Sequence, residues 1–282
     1  MNDWATWLSG AIWLLPLAAV IVWLFYRKGL LSRRAFRDAP DRDVSLTTLD
    51  TCVAIGYCVL LAVMVISAMG ASEPAMMPSP GEGLVMQVVV MGVPALWFVL
   101  RVWRGEAGFR RSGLLPRRPV RDLRWAGIAL LAAVPLVMAT TIIVTGLALL
   151  VGEPTPMIGH QMLEQMRSEE SMLPLVTLLV SAVVVAPVLE EVVFRGLVQT
   201  SLLNTLGRQW RWVIVFVASL LFAVTHLGAA IWQSLAALTV LSMVLGFLYE
   251  RTGSLWPSIL VHAGFNAWNV AVVMWLIPPD AA

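Results

Sequence analysis

Three short polar groups interrupt apolar stretches in the last third of this 282-residue chain. They are Glu190-Glu191-Val192-Val193-Phe194-Arg195, Phe222-Ala223-Val224-Thr225-His226 and His262-Ala263-Gly264-Phe265-Asn266. On a helix, Glu191 and Arg195 stand four residues apart on one face and can neutralise each other. Glu190 is rotated about 100° away and has no local cation, so its carboxylate needs a partner from another helix. His262 and Asn266 have the same four-residue spacing, which sets an imidazole beside an amide, and His226 lies below Phe222 on one face. An unpaired carboxylate and two imidazoles suit the activation of water, because a carboxylate in low dielectric is a stronger base. A histidine and an asparagine aimed at one point can donate to a developing oxyanion. Glu190, His226 and His262 also make a three-ligand metal set with an open position, zinc being the candidate ion. Both versions hydrolyse a carbonyl, with the peptide bond as the natural target.

Each residue taken alone has a plainer reading. Glu191 with Arg195 is first of all a structural ion pair. An intramembrane histidine often makes one interhelical hydrogen bond worth about 1 kcal/mol, and an asparagine in a span is often packing glue. His160 reads as a solvated loop residue. Yet an ionisable group inside a span costs about 2.5–3.5 kcal/mol on insertion scales, so such groups are functional candidates by default. Their concentration in one region favours a site. Other hydrolase signatures are absent: the chain has no HExxH, no GxGD and no GxSxG or GxSG.

The elements that must position these groups are membrane helices. Hydrophobic residues make up 59% of the chain and charged residues 13%, with a mean hydropathy of +0.83; soluble domains average about a quarter charged, so a water-soluble fold is excluded. The expected fold is all-α, a polytopic transmembrane helical bundle of about eight spans. The apolar runs are Trp4 to Tyr26, Thr48 to Met69, Leu84 to Trp103, Trp125 to Val151, Met172 to Leu203, Trp212 to Leu227, Ala229 to Tyr249 and Leu255 to Ile277. The net charge of +2 hides a strong asymmetry: every Lys and Arg except Arg167 and Arg195 falls at an odd-to-even connection. Positive-inside bias puts those connections in the cytoplasm and both termini outside.

The first run is not read as a cleavable signal, since its basic cluster follows the apolar stretch. Cys52 and Cys58, about 9 Å apart along one helix, form neither a disulfide nor a metal motif. The Arg-rich connection from Arg104 to Arg124 reads as a topology determinant with anionic lipid contact. The lipid bilayer is the expected surrounding partner, and no nucleic-acid partner is expected.

EExxxR, FxxxH and HxxxN, in this order on successive polar-bearing spans, resemble the CAAX prenyl protease 2 family, also called the CPBP or Abi intramembrane proteases. The likeness covers roughly Met172 to Trp275 and includes Gly196 after the arginine. It divides the chain into residues 1–171, four spans without a readable motif, and residues 172–277, a catalytic membrane domain. By this resemblance Glu190 activates water with His226, His262 and Asn266 stabilise the oxyanion, and Glu191, Arg195 and Phe222 support the site. Both a metalloendopeptidase and a metal-free glutamate mechanism are consistent with it. The implied substrates are membrane-associated peptides or lipidated proteins, and the short-looped, basic-sided chain reads as a bacterial inner-membrane protein. A small-solute or proton-coupled transporter, and a non-catalytic immunity or scaffold protein, are the rival classes. One geometric demand follows from the span ends: His262 lies only about 10 Å along its helix, against about 20 Å for Glu190 and 22 Å for His226. For the three to meet, the last helix must begin inside the membrane, or the other two must extend beyond it.

Overall fold

A computed structural model describes residues 11–37, 39–40, 46–69, 78–116, 118–153, 156 and 158–275. Ten helices organise them: α1 Leu14–Arg27, α2 Thr48–Met69, α3 Pro80–Val102, α4 Gly105–Ser112, α5 Pro119–Leu150, α6 Gln161–Ser168, α7 Met172–Leu206, α8 Arg211–Val224, α9 Trp232–Thr252 and α10 Trp256–Trp275. The described residues contain no strand, only two isolated bridges joining His160 and Leu227 to Ala230. The chain is an integral membrane protein with a helical bundle fold. Six helices, α2, α3, α5, α7, α9 and α10, are long and apolar enough to cross a bilayer. Among the described residues, the expected runs correspond to six full-length helices and two shorter ones. α1 and α8 have 14 residues each, about 21 Å of helix against a hydrocarbon core of about 30 Å. The expected beginning of the first run and the end of the last lie outside the described residues.

Local sequence explains the helix boundaries that matter here. Ser79 and Glu82 close a reciprocal capping box at the start of α3, with Pro80 at the first position. Pro119 opens α5 in the same way. Large apolar side chains such as Leu60, Val63, Ile128, Leu131 and Leu147 are exposed on the bundle's outer surface, where lipid rather than water is the solvent. Inside, Phe98 of α3 packs with Phe194 and Leu197 of α7 and Phe222 of α8. A second cluster joins small residues of α5 (Ala126, Ala129, Ala133) to Leu241, Leu245 and Leu248 of α9 and to Val261 and Phe265 of α10. Small residues let these backbones approach closely, the usual means of helix association in lipid. Cys52 and Cys58 are free thiols, as their spacing requires.

The Arg-rich connection is more than a topology determinant. It folds into α4 and ends on Gly113, whose φ of +86° is open to glycine and strained for other residues. A Cβ there would also lie 2.8 Å from Gly253 O. The Leu255 N–H donates to Gly113 O at 3.0 Å. Trp256 Nε1–H donates to Leu114 O at 2.9 Å, and the Tyr249 hydroxyl to Ser112 O at 2.9 Å. Ser254 and Leu255 are consequently fully buried at the entrance to α10. The last helix thus begins beneath a protein cover.

One polar group in the first half of the chain escapes the sequence reading. Asp50, near the start of α2, is fully buried. It accepts bonds from the Thr47 N–H at 2.6 Å, Trp97 Nε1–H at 3.0 Å and Arg101 at 2.7 and 3.1 Å. Every lone pair it needs is engaged, so this is a clamp between α2 and α3 rather than a reactive group.

Candidate active site

The site begins with an irregularity in α7. Its hydrogen bonds shift to the wider π pattern over Ser181–Val185 and again over Val192–Gln199, with one α-helical segment, Ala186–Glu191, between them. Such π segments recur at functional sites because they re-aim side chains without breaking the helix. In the first of them the Ala186 N–H bonds to Ser181 O, five residues back. The next carbonyl, Ala182 O, would take the N–H of residue 187, but that residue is Pro187 and has none. Asn266 of α10 supplies the missing donor: its Nδ2 lies 2.8 Å from Ala182 O. Asn266 therefore holds α10 against α7 with one amide hydrogen and keeps a second for the cavity it lines.

The two π segments bracket Glu190 and Glu191. Glu191 is fully buried and makes the expected pair with Arg195, Oε2 to Nε, at 3.0 Å. The guanidinium also donates to Ser242 Oγ at 2.9 Å and lies 5.6 Å from the centre of the Phe222 ring. Glu191 has a further partner that spacing could not reveal, since its Oε1 is 3.1 Å from His262 Nδ1. A carboxylate paired with arginine only accepts, so His262 carries its proton on Nδ1 and turns Nε2 away from Glu191.

That Nε2 faces Glu190. The structure gathers Glu190, His226 and His262 around one point: Glu190 Oε2 is 3.8 Å from His262 Nε2 and 4.0 Å from His226 Nε2. His226 lies just beyond the end of α8, in the turn that replaces the end of the expected sixth run. Its Nδ1 is 2.9 Å from Phe222 O. A carbonyl only accepts, so here too Nδ1 bears the proton and Nε2 is left toward Glu190. Phe222, fully buried, packs against both imidazoles, tilted to His226 at 4.7 Å and edge-on to His262 at 5.8 Å between ring centres. It supports the site by shape and through its carbonyl.

Three acceptors therefore converge across gaps too long for direct hydrogen bonds, and Glu190 Oε2 is buried without a partner. A donor is needed between them, and a water molecule with two hydrogens satisfies two of the three. The same donor types suit zinc. However, donor atoms on a tetrahedral zinc stand about 3.3 Å apart, closer than the separations found, and no group of three His, Cys, Asp or Glu among the described residues is placed as a metal set.

The acceptors open on a cavity of about 390 Å³ between α5, α7, α9, α10 and the 158–163 segment. His226, His262, Glu190 and Asn266 all line it, and so do Gln87, His160 and Asn269, polar residues not selected from the sequence. Asn269 follows Asn266 by three residues, so the helical period could have found it. Gln87 is the lone amide in the apolar run of α3 and accepts from Ser181 Oγ at 2.6 Å. His160 corrects the sequence expectation of a solvated loop residue. Backbone bonds from Gln161 N–H to Ala229 O and from Ile231 N–H to Gly159 O, each 3.0 Å, draw its segment inward over the site. Its ring centre is 6.4 Å from that of His226. Burial, reinforced by the neighbouring His226, pushes its pKa down to about 4, so the ring is neutral at physiological pH.

Residues 172–268 match the family described as Rce1-like, type II CAAX prenyl endopeptidase Rce1-like. The matched span holds α7, α8, α9 and most of α10, and with them Glu190, Glu191, Arg195, Phe222, His226, His262 and Asn266. No curated protein and no solved structure matches the chain.

Proposed function

Because residues 172–268 belong to the Rce1-like family of CAAX-type intramembrane endopeptidases, we propose that this chain cleaves membrane-associated peptides with water activated by Glu190. The observation that carries the reading is the convergence of Glu190 Oε2, buried and without a partner, with two imidazole nitrogens at 3.8 and 4.0 Å on the wall of the cavity. Water held there is oriented by His226 Nε2, which accepts one hydrogen, while Glu190 takes the other as the water oxygen attacks the peptide carbonyl. His262 and the free amide hydrogen of Asn266 face the oxygen that becomes negative. To donate, His262 must carry a second proton on Nε2, while its Nδ1–H stays bonded to Glu191, which is shared with Arg195. Collapse of the tetrahedral intermediate breaks the C–N bond, and Glu190 returns its proton to the leaving amine. Glu191, Arg195 and Phe222 keep the ring edges in place.

Orientation follows the charge asymmetry, with both termini outside and the membrane the bacterial inner (cytoplasmic) membrane. The activity that names the family makes a prenylated CAAX peptide the first probe. Wild type and Glu190→Ala, reconstituted in liposomes, are compared on a fluorogenic farnesylated CAAX peptide. Wild type is expected to cleave, with turnover lower by a factor of about 10² to 10⁴ in the variant. Equal turnover by both proteins would overturn the role of Glu190. Repeating the wild-type assay with chelator separates the two mechanistic subtypes: loss of activity, restored by zinc, assigns an ion to Glu190, His226 and His262.

A further inference from the structure

His160 lies outside the segment shared with the protease family, yet the fold places it on the wall of the same cavity. Its position is fixed rather than incidental. Gly159 beside it sits so close to α9 that an added Cβ would stand 2.6 Å from Ser234 Oγ and 3.2 Å from Ile231. The backbone on either side is bonded to Ala229 and Ile231. Beyond it, α6 is anchored by Met166, almost fully buried against Leu178 and Ala182, and by Arg167, which donates to Val273 O at 2.7 Å. The segment is thus a seated roof over the cavity.

The tautomer of His160 is also fixed. Its Nδ1 accepts from the Met162 N–H at 3.2 Å, so in the neutral ring the hydrogen resides on Nε2. No group among the described residues is bonded to that Nε2. A neutral N–H donor in a cavity suits a neutral acceptor, such as the main-chain carbonyl of an extended peptide, better than a carboxylate. The separation of 6.4 Å from His226 corresponds to about two residues of extended chain.

We propose that His160 is a substrate-positioning residue whose Nε2–H donates to a peptide carbonyl about two residues from the bond that is cleaved. This rests on the protease reading, so its test uses binding rather than turnover. In the Glu190→Gln background, affinity for a fluorescent farnesylated CAAX peptide is measured by anisotropy in detergent for three proteins: His160 intact, His160→Phe and His160→Gln. Phenylalanine keeps the ring and removes the donor; glutamine restores an N–H at similar reach.

A loss of about tenfold with His160→Phe is expected, as for one hydrogen bond removed, with recovery to within about twofold by His160→Gln. Equal affinity of all three proteins, or no measurable binding by any, overturns the proposal. So does an affinity loss in both variants that tracks a fall in thermal stability, which would mark His160 as a cap for α6. Turnover by the Glu190-intact protein is scored separately, and a protein that binds in a His160-dependent way without cleaving overturns only the protease reading.

Discussion

His262 Nδ1 lies 3.1 Å from Glu191 Oε1, and this contact decides which edge of the imidazole meets Glu190. The neighbouring carboxylates thereby have different tasks. Glu191, fully buried and ion-paired to Arg195, fixes a ring; Glu190, with an unpartnered oxygen, is left for chemistry. Adjacency in sequence puts them about 100° apart on the helix, which is what permits the division.

Glu191→Ala should unfold the protein readily. Removing the carboxylate strands the Arg195 guanidinium in a site with no access to solvent, and breaking a buried pair in this way costs about 3–5 kcal/mol. The double variant Glu191→Leu with Arg195→Met removes both charges and should regain much of that stability while remaining inactive, because His262 has lost its orienting partner. Thermal unfolding in detergent, paired with peptide turnover, checks both halves. A double variant no more stable than Glu191→Ala would contradict the account.

Asn266→Ala should weaken the protein by about 1–3 kcal/mol, since it leaves Ala182 O buried without a donor. Adding Pro187→Ala restores a backbone N–H five residues after Ala182. That second change should return stability, yet activity should stay low if the other amide hydrogen serves the oxyanion. Full recovery of turnover in the pair would reduce Asn266 to a helix clamp. Circular dichroism melts and the liposome assay distinguish these outcomes.

Gly196→Val should disrupt the site without touching a polar group. A Cβ at this position would come within 2.7 Å of Phe98 Cε1, and Phe98 is itself fully buried. Overpacking of this kind costs about 1–3 kcal/mol, and here it pushes α3 away from the π segment that carries Arg195. Phe98→Leu in the same chain should relieve part of the loss. A Gly196→Val protein with wild-type melting temperature and turnover would show that α3 and α7 are looser than the structure has them.

The polar groups of the site were legible in the sequence because lipid makes them conspicuous. Glu190, His226, His262 and Asn266 stand in apolar runs where an ionisable or amide side chain has a cost, and their order and spacing also carry the family likeness. His160, by contrast, lies in a polar loop where a histidine is unremarkable. What brings it to the site is backbone pairing of Gly159 and Gln161 with Ile231 and Ala229, a contact across about 70 residues that no local period encodes. Asp50 was missed for a similar reason: its partners Trp97 and Arg101 come from the next helix.

The sequence by itself determined the membrane bundle, the helices α2 and α7 almost to their ends, the pairing of Glu191 with Arg195 and the identity of the unpaired carboxylate. These follow from hydropathy and from the 3.6-residue period, both local properties of the chain. The tertiary structure alone decided the rest. It ended the sixth run early, in the 14-residue α8, and buried the start of α10 under the Gly113 loop. It converted stretches of α7 to π geometry and used Asn266 to satisfy the carbonyl that Pro187 cannot. Each of these depends on a hydrogen bond or a close approach between segments far apart in the chain, where the deciding energy is the cost of leaving a buried polar group unpaired.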